Sequence, residues 1–251
     1  MHFTAETTSD GVVERAFTLG DITGVLWSPA SGPARTPLVL LGHGGGQHKK
    51  APGVAARARH FVTAGGFAAA AIDMPGHGGR PRTAADEQHV AALRQSRAAG
   101  EPPGPVLVPY HAALAVRAVP EWQATLDALQ ALPEIGPAGP AGYWGVSLGT
   151  GIGVPLAAAE PRITAAVFGA LGHESLTEAA GRVTIPVEFL LQWDDELVER
   201  QSGLALFDAF ASAEKTLHAN SGTHLQIPRF EIDSSARFFA RHLGRAGASP
   251  A

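Results

Sequence analysis

The chain has 251 residues, of which 45% are hydrophobic and 17% charged, and its formal net charge is −4. A chain of this length can bury one large core, and its scattered basic residues exclude the clustered positive charge that nucleic-acid binding requires. The absence of cysteine excludes disulfide bonds, thiolate metal sites and a cysteine nucleophile.

Short apolar runs alternate with Ala- and Leu-rich segments, which is typical of parallel strands covered by helices. We interpret the whole chain, residues 1–251, as a single domain. In its first part the predicted elements are a strand pair at 12–18 and 22–27, a fully buried strand at 37–41, a helix at 53–64 that ends at two glycines, and a strand at 67–72.

Residues 76–109 depart from this rhythm because they are rich in Gly, Pro and Arg. They contain one helical stretch, at about 84–99. A connection of this length in a compact domain is usually functional or disordered. We therefore interpret residues 76–109 as a lid-like insertion.

Regular alternation resumes after the insertion and continues to the C-terminus. The predicted helices lie near 112–132, from 148 onward, near 201–212 and at about 228–243. The predicted strands lie at 141–146, 163–168, 187–192 and 215–218, and residues 244–251 form a small polar tail that we expect to fray.

The strongest chemical motif is Gly145-Val146-Ser147-Leu148-Gly149, between a predicted strand and a predicted helix. A serine on so tight a turn needs small flanking residues, because larger side chains would collide with neighbouring backbone. The turn lifts the hydroxyl above the sheet and directs the N-terminus of the next helix toward it. This context predicts that Ser147 is a nucleophile.

A serine nucleophile needs a base, and the base needs an orienting carboxylate. The base is predicted to be His224, in a loop after the last strand, rather than His218, which lies inside that strand. The acid is expected after the strand at 187–192, where Asp194 and Asp195 are adjacent. The residues that follow favour Asp195, but the choice between the two stays open.

A glycine-rich segment, His43-Gly44-Gly45-Gly46, follows the buried strand at 37–41. A tetrahedral oxyanion needs two fixed N–H donors, and backbone without side chains can approach it closely. We expect the Leu148 amide to supply one donor and Gly44 or Gly45 the other. The spacing matches no nucleotide-binding glycine motif.

These motifs, together with Asp73-Met74-Pro75-Gly76-His77-Gly78, occur in the order found in the α/β-hydrolase family. The chain resembles the esterase and dienelactone-hydrolase-like branch of that family from about residue 38 to residue 243. The resemblance implies an α/β fold with a mostly parallel, eight-stranded sheet, helices on both faces, and the site at the C-terminal edge of the strands. It also implies that Asp73 and His77 are structural.

Two departures from the family limit what the resemblance implies. Many relatives carry a helical cap after the strand here at 163–168, whereas the insertion of this chain lies at 76–109. Dienelactone hydrolases proper use a cysteine nucleophile, which this chain lacks. The substrate of that branch therefore does not carry over.

The sequence thus predicts a serine hydrolase that cleaves carboxylic esters through an acyl-enzyme. Two alternatives stay open: the same machinery acting on a thioester, amide, lactone or carbon–carbon bond, and a non-catalytic protein that binds a ligand in the same fold.

The expected partner is a small ester-like molecule, with no cofactor and no metal, since the histidines show no metal-binding spacing. A homo-oligomer is compatible with the sequence. The polar N-terminus lacks the pattern of a secretory signal, and no apolar run reaches the roughly 20 residues of a membrane span. We accordingly predict a cytoplasmic protein.

Overall fold

The computed structural model describes residues 1–31, 35–137 and 139–244, and nine strands in these ranges form one sheet. The strands are β1 (His2–Ser9), β2 (Val12–Leu19), β3 (Ile22–Pro29), β4 (Leu38–Gly42), β5 (Ala68–Ile72), β6 (Ala141–Gly145), β7 (Ile163–Gly169), β8 (Val187–Gln192) and β9 (Lys215–Asn220). The helices are α1 (Pro52–Gly65), α2 (Ala84–Ala98), α3 (Gly104–Gln130), α4 (Leu148–Ala159), α5 (Thr177–Ala180), α6 (Arg200–Ala209) and α7 (Phe230–Leu243).

The strand order is β1-β2-β3-β5-β4-β6-β7-β8-β9. Strands β4 to β9 run parallel, whereas β1, β2 and β3 pair antiparallel at one edge. The predicted α/β class is confirmed, with one strand more than the eight implied by the resemblance. The additional strand is β1, whose side chains are almost all exposed, so it carries no hydrophobic alternation that a sequence pattern could reveal.

The core lies on both faces of the sheet because β4 and β5, at its centre, are apolar at every position. In β4, Leu38 and Leu40 face one side, where α3, α4, α5 and α6 pack. Val39 and Leu41 face the other side, against α1 and α7. Side chains alternate across a strand, so a run of apolar residues is buried by helices on both faces.

Helix α3 begins at Gly104, eight residues before the predicted start at 112. Pro105 falls in the first turn, where a missing N–H costs no hydrogen bond, and Pro109 and Pro120 lie within the helix. The segment at 76–109 therefore consists of a loop, α2 and the first turns of α3. Helix α2 packs mainly on α3.

The tail predicted to fray, residues 244–251, lies outside the described residues except for Gly244. Among the residues that the structure describes, none of the helices combines the length and apolar character needed to cross a bilayer.

Candidate active site

Ser147 stands on the sharp turn between β6 and α4, with φ 56° and ψ −121°. This is a conformation that a residue with a side chain adopts only under strain. The flanking glycines allow the turn: a Cβ on Gly145 would lie 2.7 Å from the backbone carbon of Gly149, and one on Gly149 would lie 2.8 Å from the oxygen of Gly42. The strand, the turn and the helix thus pack backbone against backbone.

Three of the predicted side chains are hydrogen-bonded in a row. Ser147 Oγ lies 3.0 Å from His224 Nε2, and His224 Nδ1 lies 2.8 Å from Asp195 Oδ2. A carboxylate only accepts, so Nδ1 carries the proton and Nε2 is left to accept from the serine hydroxyl. His224 and Asp195 are both about 95% buried, which removes competing water from the two bonds. These three residues are called the Ser147 cluster below.

The structure brings Asp195, not Asp194, to the imidazole. Asp195 Oδ1 also accepts from the backbone N–H groups of Leu197, at 2.8 Å, and Val198, at 3.0 Å. These bonds hold a buried carboxylate that would otherwise be costly to desolvate. Asp194 instead accepts a long bond of 3.4 Å from the Gly222 amide.

The glycine loop and the first amide of α4 lie on the same side as Ser147. Gly44, Gly45, Leu148 and Ser147 line one cavity. The amide of Leu148 is at the first position of α4, where a helix offers no internal acceptor. Within the described part of the chain, the amide of Gly44 donates a single hydrogen bond, a long one of 3.4 Å to Gln47 Oε1.

Three further histidines surround the cavity. His43 Nδ1 donates to Gly44 O at 2.9 Å, and His43 Nε2 accepts from the Met74 amide at 3.1 Å, so His43 braces the glycine loop. Burial lowers the pKa of His43 to about 4 and also lowers the pKa of His77. Burial also lowers the pKa of His111 to about 4, and the neighbouring imidazole groups lower it further. These buried rings are therefore neutral at pH 7.

The cavity has a volume of about 790 Å³. Helix α2 contributes Leu93 and Arg94 to its wall, and α3 contributes Leu107 and Tyr110. Part of the wall is therefore made by the segment predicted as an insertion, and other parts are made by the glycine loop and α1.

A second polar group of residues lies at the opposite end of β8, where sequence reasoning predicted nothing. Glu188, His218 and Glu231 present metal-binding atom types within 4.8 Å of one another. His218 Nδ1 lies 2.9 Å from Glu231 Oε2, and the Ser235 hydroxyl donates to Glu188 Oε1 at 2.9 Å. Burial raises the pKa of Glu188. These four residues are called the Glu188 cluster below; their polar atoms bind one another.

The comparisons with known proteins add a close structural match. A cold-adapted esterase from an Arctic intertidal metagenomic library is 35% identical and superposes with a TM-score of 0.77, over 97% of this chain and 100% of that one. No protein-family model matches the chain. No curated protein sequence matches it either.

Two more distant structures share the fold alone. A dienelactone hydrolase from Anabaena variabilis is 20% identical, with a TM-score of 0.66 over 93% of this chain and 99% of that one. An esterase of Pyrococcus furiosus is 13% identical, with a TM-score of 0.66 over 97% of this chain and 93% of that one.

Proposed function

The chain belongs to the α/β-hydrolase family, and on this premise we propose that it hydrolyses carboxylic esters through an acyl-enzyme formed on Ser147. The observation that carries the proposal is the row of hydrogen bonds from Ser147 through His224 to Asp195, at the wall of a cavity. The 35% identical esterase supports ester hydrolysis as the reaction class.

In the first half of the reaction, Ser147 Oγ attacks the carbonyl carbon of the ester while its proton passes to His224 Nε2. The carbonyl oxygen becomes an oxyanion, which accepts hydrogen bonds from the amide of Leu148 and from that of Gly44 or Gly45. When the intermediate collapses, the bond to the alkoxide breaks and the alkoxide takes the proton from His224.

In the second half, His224 Nε2 takes a proton from water, whose oxygen attacks the acyl carbon. Collapse of the second intermediate releases the carboxylic acid and returns the proton to Ser147 Oγ. Asp195 keeps the imidazole in the tautomer that places its free lone pair on Nε2, and it stabilises the imidazolium formed in each half.

We also propose that residues 76–109 act as the lid of this site. The support is that Leu93 and Arg94 in α2, and Leu107 at the start of α3, line the cavity that contains Ser147. A cover made of a separate helix on α3 allows substrate size to be set without altering the residues that react.

The experiment that tests the function is labelling with a fluorophosphonate, followed by intact-protein and peptide mass spectrometry. We expect one adduct per chain, on Ser147, together with turnover of 4-nitrophenyl acetate and butyrate. Ser147→Ala should abolish both, and Ser235→Ala, outside the cavity, should preserve both.

Other outcomes identify the alternatives. A natively folded protein that is neither labelled nor active would overturn the proposal in favour of a ligand-binding role. Labelling of Ser147 without turnover of any ester would redirect the assignment to thioester, amide, lactone or carbon–carbon substrates.

A further inference from the structure

Arg57 lies on the inner wall of the cavity, in α1, directly after the glycine loop. Its guanidinium carbon is 3.4 Å from the centroid of the Trp144 ring, close enough for a cation–π contact. Trp144 is itself buried and lines the same cavity. The ring holds the planar guanidinium in a fixed orientation at the cavity wall.

The guanidinium of Arg57 has no carboxylate partner among residues 1–31, 35–137 and 139–244. Its Nη1 donates to the Gly53 carbonyl at 3.2 Å, and its Nε is buried without any hydrogen-bond acceptor in those ranges. Burial lowers the pKa of Arg57 to about 9. Other partly buried arginines of the chain each bind a carboxylate: Arg80 with Glu121, Arg117 with Asp86, and Arg162 with Glu160.

A partly desolvated cation without a counter-charge is unfavourable, so Arg57 gains from any anion that reaches it. The rest of the lining strengthens this effect. It contains four arginines and a single carboxylate, Glu196, although the whole chain carries a net charge of −4. Glu196 accepts a hydrogen bond from the backbone amide of His224 at 2.9 Å. A wall of this composition attracts anions.

We propose that Arg57 is a carboxylate-binding subsite, so that the preferred substrates are esters that also carry a carboxylate. A guanidinium presents two parallel N–H groups that match the two oxygens of a carboxylate, and stacking on Trp144 preserves that geometry. The inference rests on the proposed ester hydrolysis at Ser147 and names the class of ester. Arg57 and Ser147 line the same cavity of about 790 Å³.

The test compares two esters of matched length, the monomethyl adipate anion and the neutral dimethyl adipate, by pH-stat titration at pH 7.5. We expect the wild-type protein to show a kcat/KM at least tenfold higher for the anion. Arg57→Gln should lower kcat/KM for the anion about 10- to 100-fold, mainly through KM, as for loss of a hydrogen bond between charged groups. The diester should change less than threefold.

Arg59→Gln is the matched control, because Arg59 lies in the same helix but contacts Ser9 and Glu14 instead of the cavity. It removes the same charge and should change neither rate more than twofold. Arg57→Lys should retain part of the preference for the anion. Arg57→Met should lose the preference while it keeps the apolar contact with Trp144, which answers the case in which Arg57→Gln does not fold.

Three results separate the failure of this inference from failure of the proposed function. Equal losses on both esters, or no preference for the anion in the wild-type protein, would reduce Arg57 to a packing residue while ester hydrolysis stands. If neither ester is hydrolysed, calorimetric binding of the adipate dianion to Ser147→Ala decides the subsite separately. The subsite is supported if adipate binds Ser147→Ala and the added Arg57→Gln substitution abolishes this binding. It is overturned if adipate does not bind Ser147→Ala, or if the added Arg57→Gln substitution leaves the binding unchanged.

Discussion

Two groups in this molecule combine serine, histidine and carboxylate, and they differ in the direction of their hydrogen bonds. In the Ser147 cluster the hydroxyl faces the lone pair of an imidazole, with the carboxylate behind it. In the Glu188 cluster the Ser235 hydroxyl donates to a carboxylate, and His218 is bonded to another carboxylate. Only the first arrangement can take a proton from serine, so residue types alone do not define a reactive site.

The two clusters also differ in their surroundings, because one borders a cavity and the other is buried. Ser147 stands on a strained turn at a large cavity, whereas Ser235 is fully buried within α7 and accepts a hydrogen bond from Trp144 Nε1 at 3.3 Å. The Ser147 cluster therefore borders a cavity that a substrate can enter, whereas the Glu188 cluster joins β8, β9 and α7. The following changes test this distinction.

The largest expected effect is that of Ser147→Ala compared with Ser235→Ala. Removal of the nucleophile should lower kcat for 4-nitrophenyl butyrate by about 10⁵-fold or more, the scale found when a hydrolase nucleophile is removed. Ser235→Ala should change it less than twofold. Steady-state kinetics measures both kcat values at equal concentrations of folded protein, with the fold verified by circular dichroism. A large loss of kcat in Ser235→Ala would contradict the distinction between the two clusters.

The next effect separates two adjacent acids. Asp195→Asn should lower kcat by roughly 10³- to 10⁴-fold, because an amide in place of the carboxylate favours the wrong imidazole tautomer. Asp194→Asn should cost less than threefold, since its carboxylate makes only a long bond to a backbone amide. If the two variants lose activity equally, the carboxylate opposite His224 is not the orienting group.

The third effect concerns the stability of the cavity wall in acid. The pKa of His111 is about 4 in the folded chain, below its ordinary value of 6.5. The unfolded chain therefore binds the proton first, and stability is lost as the pH falls from 6.5 toward 4. This loss amounts to about 2.5 kcal/mol at pH 4.5.

Urea unfolding at pH 7.5 and 4.5 should show that His111→Gln reduces the acid-induced loss of unfolding free energy by about that amount. His48→Gln, which removes an exposed histidine of the glycine loop, is the control for the loss of one titratable group. An unchanged pH dependence in His111→Gln would mean that this ring is not held neutral.

The smallest effect is a gain in stability. Glycine adopts positive φ without strain, so Ser147→Gly should be about 1 kcal/mol more stable than Ser147→Ala, equivalent to roughly 2–4 °C in Tm. Ser235 lies inside a helix, where glycine is unfavourable, so Ser235→Gly should be less stable than Ser235→Ala by a similar amount. Calorimetry of the four variants gives both differences, and the same sign at both positions would contradict the strain at Ser147.

Sequence reasoning succeeded where the signal is local and periodic. The strand at 187–192 matches β8 residue for residue: four of its six residues are apolar and all six are buried, as expected for a strand covered on both faces. The turn at Ser147 is recognisable because glycines flank the serine at the junction of a strand and a helix. In contrast, β1 is exposed and gives no such signal, and the start of α3 was hidden by its prolines.

The features missed at the site are relations between distant residues. The residues that follow favour Asp195 over Asp194 without deciding between them, whereas in the structure Asp195 alone of the two contacts His224 and accepts from the Leu197 and Val198 amides. The Glu188 cluster spans 47 positions, from Glu188 to Ser235, and its residues come from three elements, so no sequence spacing predicts it. From the sequence, Arg57 resembles an ordinary surface residue of a helix, because the Trp144 ring that it contacts belongs to β6, far away along the chain.

The contact of Gly42, Gly145 and Gly149 along their backbones has a consequence for how such a chain can diverge. Because there is no space for a single added carbon, we expect substitutions at these glycines to displace the turn that carries Ser147 and to be eliminated whatever the substrate. Helix α2 packs mainly on α3 and carries exposed residues such as Arg94. New specificities should therefore arise in this segment, and a mutant library confined to residues 84–98 can explore them while the reaction itself is inherited unchanged.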